Sequence, residues 1–304
     1  MTPQQLGILL GIQTPSPTHS IQPNWQGIEN LQISIKRDDL IHPIISGNKW
    51  RKLKYALLEA VNTQTQHIVS FGGGFSNHLH ALGYCCERLN IGLTAIVRGD
   101  YSKNPSPMLQ DLANWQTNIQ YVDRNTYQQR SNADYLQNLQ HQNPNAMVIP
   151  EGGSWQHAMT GVTEIISELQ TEYDYILMPV GSGGTLAGII SATQQTKAQV
   201  MGIAVLKGAD YLEQLVSELL PQDQATYSNW QINHQHHFGG YAKSNTQLKQ
   251  FCDEFHEQTH ISIEPVYSGK LFFALKTLVE QRHFPLDSKI LAIHTGGLQG
   301  ARSQ

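Results

Sequence analysis

No stretch of this chain is apolar for long enough to span a bilayer. The run Leu6–Ile12 is broken by two glycines, and later runs carry polar interruptions. Met1–Gln5 holds no basic residue, so no secretory leader is read there and the expected location is the cytoplasm. Cysteine is scarce. The three thiols, Cys85, Cys86 and Cys252, are odd in number and two are adjacent, a poor disulfide framework that fits a reducing compartment. Cys85 and Cys86 sit in the apolar run Ala81–Leu89, where buried helix positions are expected for them rather than a redox or metal role. Concentrated positive charge is missing too. Twenty Lys+Arg stand against 24 Asp+Glu for a formal net charge of −4, and no dense basic stripe forms, so nucleic acid is excluded as an expected partner.

What remains suits a folded catalyst. The chain has 304 residues, 39% hydrophobic and 14% charged, enough for two domains or one large domain with a lobe. Apolar runs predict strands at His67–Phe71, Leu93–Arg98, Asn118–Val122, Tyr175–Val180, Val200–Leu206 and Ile290–His294. Between them lie segments with helical spacing, such as Leu53, Ala56, Leu57 and Ala60. Strand–helix alternation predicts a parallel sheet covered on both faces. Asp111–Asn145 is crowded with Gln and Asn and is expected to be polar helix surface and loops of a smaller lobe, without an internal repeat. Glycine-rich turns follow the strands at His67 and Tyr175, the places where open α/β sheets form their sites.

Five segments carry chemistry. Gly181-Ser182-Gly183-Gly184-Thr185 joins a predicted strand to a helix, where free N–H groups and the positive dipole end would cradle a phosphate. The sixth position of a dinucleotide fingerprint is Leu186, and no Walker lysine follows, so neither of those motifs applies. A plain tight turn is the alternative, and the segment alone does not separate the two. The second is Ser46-Gly47-Asn48-Lys49-Trp50-Arg51-Lys52-Leu53, a helix entry followed by a helix running through Ala60. Three cations in four positions usually form a solvated face. At a helix N-terminus they oppose the macrodipole, a placement that suits a lysine that must lose its proton to form a Schiff base, but taken alone the segment still reads as a solvated face.

The third segment is Phe71-Gly72-Gly73-Gly74-Phe75-Ser76-Asn77-His78, where Ser76 and Asn77 would offer donors to a carboxylate or simply cap a helix. The fourth comprises His237-Phe238-Gly239-Gly240-Tyr241 and Glu264-Pro265-Val266-Tyr267-Ser268-Gly269-Lys270, and the fifth His294-Thr295-Gly296-Gly297. Asn233-His234-Gln235-His236-His237 lacks a matching carboxylate or cysteine pair and is read as a polar loop, so no metal is expected.

Taken in order along the chain, these segments resemble the pyridoxal-phosphate family that contains 1-aminocyclopropane-1-carboxylate deaminase and D-cysteine desulfhydrase. Ile35-Lys36-Arg37-Asp38-Asp39-Leu40, the Gly-Asn-Lys-x-Arg-Lys-Leu stretch at 47–53, Ser-Asn-His at 76–78, the loop at 181, Pro265–Lys270 and His-Thr-Gly-Gly at 294–297 carry the resemblance. It implies an α/β fold of the tryptophan-synthase-β type (fold type II) with two open, parallel-type α/β domains. Residues 1–52 and 156–304 would form the larger pyridoxal-phosphate-binding domain, residues 53–155 a smaller mobile one, and the chain would be a homodimer. Lys49 would hold pyridoxal 5'-phosphate as a Schiff base, Gly181, Ser182, Gly183, Gly184 and Thr185 would bind its phosphate, and Asn77 its phenolic oxygen. Ser76 would sit by the substrate carboxylate or the lysine, and Tyr241 and Tyr267 match two active-site tyrosines.

The resemblance also bears on the reaction. The deaminase branch has Glu after the second tyrosine, where the desulfhydrase branch has a small hydroxyl residue, and here it is Ser268. A carboxylate there pairs with a pyridinium and makes a strong electron sink, whereas a hydroxyl bonds to a neutral nitrogen and suits direct β-elimination. The implied activity is removal of ammonia from a small amino acid, of the D-cysteine desulfhydrase type, with cyclopropane ring opening as the alternative. A non-catalytic cofactor carrier would have no need of Ser76, Tyr241 and Tyr267. Phe75 stands where the family commonly has Gln, which changes the wall near the carboxylate.

Overall fold

Strands that are apolar along their whole length need cover on both faces, and that requirement shapes this protein. The computed structural model describes residues 1–153, 156–208, 211–221 and 227–299. The strands are β1 (Thr18–Ile21), β2 (Gln32–Lys36), β3 (His67–Gly73), β4 (Gly92–Arg98), β5 (Asn118–Val122), β6 (Ala146–Ile149), β7 (Tyr175–Val180), β8 (Gln199–Ala204), β9 (Trp230–Asn233) and β10 (Lys289–Ile293). The helices before Gln142 are α1 (Pro3–Leu9), α2 (Asn48–Asn62), α3 (Asn77–Leu89), α4 (Pro107–Asn114), α5 (Arg124–Gln128) and α6 (Ala133–Gln142). Those after it are α7 (Gln156–Ser167), α8 (Gly184–Thr193), α9 (Tyr211–Leu219), α10 (Thr246–Thr259) and α11 (Ser268–Glu280).

Two sheets result. One has six strands in the order β1-β2-β10-β7-β8-β9, the other four in the order β5-β4-β3-β6. Every pairing is parallel except the edge pair of β1 with β2. The four-stranded sheet is built entirely from residues 67–149, and the six-stranded sheet from the chain on either side. Residue 155 and residues 300–304, which end the expected domains, lie outside the described residues. In the larger sheet the chain moves from β7 to β8 on one side, while β10 lies on the other. The turns that leave β7 and β10 are therefore neighbours at the strand ends, where such sheets place ligands.

All six expected strands form, with ends shifted by a residue or two. Four more exist. β1 has three exposed residues and borders the sheet, β9 is only half-buried at the opposite edge, and neither reads as a buried run. The Gln/Asn-rich stretch holds β5 and, after it, the short helices α5 and α6, polar on their outer faces as expected.

Helix α2 carries the site and is fixed from two directions. Leu53, Ala56, Leu57 and Ala60 face a core with Leu6, Ile41, Ile45, Trp50 and Ile68. Burying such side chains contributes roughly 1.5–3 kcal/mol each. Its other side packs on α7 at close range, because a Cβ at Gly161 would stand 2.0 Å from the Arg51 carbonyl.

An ionic network locks this contact. Arg51 donates to Asp38 at 3.0 Å and to both Glu168 oxygens at 2.5 and 2.8 Å. Lys36 pairs with Glu168 at 2.8 Å, and Ser16 Oγ donates to Asp38 at 2.6 Å. Burial opposes the Arg51 charge, but Asp38 and Glu168 outweigh it and raise its pKa. Arg51 and Lys52 are thus buried rather than parts of a solvated basic face.

Candidate active site

The entry to α2 is possible only with glycine. Gly47 has φ +67°, and a Cβ there would lie 1.8 Å from the Thr295 carbonyl oxygen in the turn after β10. The Asn48 N–H bonds that same carbonyl at 3.2 Å, so the start of α2 is pinned to the His-Thr-Gly-Gly turn. From there Asn48 reaches sideways: its Nδ2 donates to Thr185 Oγ1 at 2.8 Å, and its Oδ1 accepts from Lys49 Nζ at 2.5 Å. Lys49 is in this way tied to the glycine loop. Burial lowers its pKa to about 8, so desolvation is the cause that the structure supplies for the shift expected at this helix end.

The loop 181–185 runs into α8 with Gly183 as N-cap, and the first-turn N–H groups have no intrahelical acceptor. Lys52 Nζ lies 3.2 Å from Ser182 Oγ and 3.3 Å from the Gly152 carbonyl. Burial, and then the Lys49 charge, push the Lys52 pKa well below its usual value. Two desolvated ammonium groups, a helix N-terminus and the hydroxyls of Ser182 and Thr185 converge here. Bringing like charges together out of water is unfavourable unless an anion joins them. The donor set therefore fits a phosphate-bearing aldehyde, with an amine of lowered basicity beside an anion cradle.

Two further groups border this cradle. Tyr267 packs on the Gly181 turn, since a Cβ there would lie 3.3 Å from its ring, and it meets Tyr241 edge-on at 5.9 Å. Burial raises both phenols, so both hold their protons at neutral pH. Tyr241 itself is 44% exposed, on a loop anchored by buried Lys270, which donates to the Gly240 carbonyl at 2.7 Å.

The second group centres on Glu264. Its carboxyl accepts the N–H groups of Val266, Tyr267 and Ser268 and lies 3.1 Å from Ser268 Oγ, and burial lifts its pKa to about 7 against those hydrogen bonds. The backbone at Gly297 faces both this carboxyl and Asn77, as a Cβ there would stand 3.6 Å from Glu264 Oε1 and 3.1 Å from Asn77 Nδ2. Asn77 Oδ1 accepts from Gln299 Nε2 at 2.5 Å. Ser76 precedes it and caps α3, accepting the Leu79 N–H at 3.2 Å.

The expected residues thus converge from four of the five segments: Lys49, Ser182 and Thr185 around the glycine loop, Tyr267 with Tyr241 against Gly181, and Ser268 with Asn77 around Glu264. Reasoning from sequence missed the parts played by Asn48, Lys52, His78, Glu264 and the turn Glu151–Gly153, although all but the last lie inside the quoted motifs. Among the described residues, no group of three or more His, Cys, Asp or Glu could hold a metal, and no helix is long and apolar enough to cross a membrane.

A lysine of lowered pKa beside a glycine-rich helix entry, at the strand ends of an open α/β sheet, is the arrangement that a cofactor-dependent enzyme of the Schiff-base class requires. The chain belongs to the family of pyridoxal-phosphate dependent enzymes, whose model matches residues 12–296. It is 29% identical to the bifunctional D-cysteine desulfhydrase/1-aminocyclopropane-1-carboxylate deaminase, mitochondrial, of Arabidopsis thaliana, over 94% of this chain and 77% of that protein. It is 26% identical to the D-cysteine desulfhydrase of Klebsiella pneumoniae, over 94% and 92%. The crystal structure of an ACC deaminase homologue superposes with a TM-score of 0.79 at 27% identity, covering 99% of this chain and 97% of that one. The fold is accordingly fold type II, and the cofactor of the family is pyridoxal phosphate.

Proposed function

We propose that this protein is a lyase that releases ammonia from a small amino acid by α,β-elimination, acting on D-cysteine or a related β-substituted amino acid. The observation that carries the reading is the chain of contacts from Lys49 through Asn48 to Thr185, which holds an amine of lowered pKa against the phosphate cradle. In this reading Lys49 carries the cofactor, while Ser182, Gly183, Gly184, Thr185 and Lys52 hold the phosphate. Asn77 would face the phenolic oxygen, and Ser268 the ring nitrogen. The bound cofactor supplies withdrawal of electrons from the substrate α-carbon.

The chain does the rest. Ser76 and the N-terminus of α3 bind the substrate carboxylate. Lys49, as the free amine, takes the α-proton, which its lowered pKa permits near neutrality. Tyr267, paired with Tyr241, holds a proton that it can give to the leaving group at the β-position. Thiolate leaves, and hydrolysis yields a 2-oxo acid and ammonia. The smaller sheet and its helices, residues 53–155, act as the mobile domain, the chain assembles as a homodimer, and three buried thiols without a disulfide suit the cytoplasm.

One observation favours a second reading. Glu264 places a buried carboxyl beside Ser268, and a ring nitrogen held at Ser268 would then have a carboxyl as well as a hydroxyl nearby, which favours the strong electron sink that cyclopropane opening requires. Purified, cofactor-loaded protein offered D-cysteine, L-cysteine, D-serine and 1-aminocyclopropane-1-carboxylate separately tests both. Pyruvate from D-cysteine alone supports elimination. Release of 2-oxobutyrate from the cyclopropane acid supports ring opening and predicts that Glu264→Gln loses this activity first. Failure of all four overturns the substrate assignment.

A further inference from the structure

Next to the two lysines lies a buried polar atom that accepts nothing. His78, the second residue of α3, is 2% exposed, and its Nε2 stands 2.8 Å from Ser70 Oγ. The Ser70 hydroxyl donates its single proton to the Ile149 carbonyl at 2.7 Å. Ser70 can therefore only accept from the ring, which places the ring proton on Nε2 and leaves Nδ1 a bare lone pair. Among the described residues that Nδ1 has no hydrogen-bond partner. An acceptor shut away from water in this manner calls for a donor that reaches it in another state of the protein.

Two lysines of α2 are the candidate donors. A Cβ at Gly153 would lie 3.4 Å from His78 Nδ1 and 3.4 Å from Lys52 Cβ, so the ring stands beside the stem of Lys52. The charges of Lys49 and Lys52 both act on the ring. Lys52 is engaged with Ser182 Oγ and the Gly152 carbonyl. Lys49 bonds Asn48 Oδ1 and has N–H groups to spare.

We infer that His78 Nδ1 receives the Lys49 amine when a substrate amine has displaced it, and that Asn48 Oδ1 and His78 Nδ1 together aim its lone pair at the substrate α-carbon. This rests on the reading of Lys49 as cofactor lysine and base. A neutral amine has two N–H groups and one lone pair. With one N–H on Asn48 and the other on His78, only the lone pair remains to face the substrate. The α-proton then passes to the Lys49 nitrogen. The C–H bond breaks, an N–H bond forms, and the electron pair stays with the substrate and expels the β-substituent. His78 does not intercept the proton, because burial and the two lysine charges push its pKa down to about 3. It is a positioning residue, acting through Lys49.

Nitrogen-15 NMR of the holoenzyme tests this, with D- and L-alanine as amines that carry no β-leaving group and His78→Gln to assign the ring signals. Visible absorbance reports in parallel whether the added amine has displaced Lys49. The expected result is a bare Nδ1 signal that moves upfield, as a hydrogen-bonded nitrogen does, when the absorbance changes. An unchanged Nδ1 signal despite that change overturns the role of His78 and leaves Lys49 as cofactor lysine. No absorbance change with either amine removes the reading of Lys49 and the role of His78 with it. Two variants check the kinetics. His78→Gln keeps a donor for Ser70 and drops the Nδ1 acceptor, whereas His78→Asn keeps an acceptor there and drops the Ser70 bond. Turnover should fall about tenfold in His78→Gln, with KM and colour kept, and by no more than about threefold in His78→Asn. Equal losses in both would show a merely structural histidine.

Discussion

Replacing Arg51 with Met tests whether the ionic network beneath α2 holds the site in place. Arg51 and Asp38 are both 0% exposed, and Arg51 makes its bonds to Asp38, Glu168 and Ser16 from this dry position. Without it, Glu168 keeps Lys36 at 2.8 Å, but among the described residues the Asp38 carboxylate keeps only the Ser16 hydroxyl at 2.6 Å. The loss therefore falls on an uncompensated buried carboxylate, for which about 3–5 kcal/mol is expected. That is a large share of the roughly 5–15 kcal/mol that holds a typical protein folded. Asp38→Asn in the same background removes the stranded charge and should return about 1–3 kcal/mol. Urea unfolding followed by circular dichroism reads both values, provided that the slope of the transition stays constant. A loss below about 1 kcal/mol, or a double variant no more stable than Arg51→Met alone, would refute the claim that this network fixes α2.

Two further outcomes follow from the entry to α2 and from Lys49. Gly47→Ala should cost at least about 3 kcal/mol and abolish cofactor retention, since its Cβ would stand 1.8 Å from the Thr295 oxygen; thermal melts and absorbance of the purified protein check it, and a fully coloured, stable variant would contradict the pinning of α2. The rate of cofactor uptake by protein freed of it should rise about tenfold between pH 7 and 9 and then level off. Only the neutral Lys49 amine attacks an aldehyde, and burial brings its pKa down to about 8, so that form is scarce below this pH and dominant above it. A stopped-flow rate that keeps climbing beyond pH 10 would instead describe an ordinary exposed lysine.

The course of the main sheets is legible in the residues themselves. Runs such as Tyr175–Val180 and Ala95–Val97 are apolar throughout because both faces are covered, and they stand out from the helices between them. The edge strands β1 and β9 are half polar for the opposite reason, and β6 has four residues hidden behind an Asn-rich turn. The site is legible as a set of motifs, but roles inside a motif depend on partners brought from far along the chain. Lys52 looks like one more surface cation until Ser182 and Gly152 arrive 130 and 100 residues later. His78 looks like a flanking residue until Ser70 fixes its tautomer. Glu264 reads as a residue before proline, and only the fold shows its carboxyl closing the N-terminus of α11 beside Ser268.

The central claim is that Lys49, of three lysines whose pKa desolvation lowers, is the one that carries the cofactor; Lys52 and Lys270 are the rivals. Borohydride reduction of the cofactor-loaded protein converts the lysine that bears the cofactor into a stable secondary amine, which peptide mass spectrometry then locates. The account predicts the label on Lys49 and on no other residue. A label on Lys52 or Lys270, or a coloured protein that yields no labelled lysine, would contradict it.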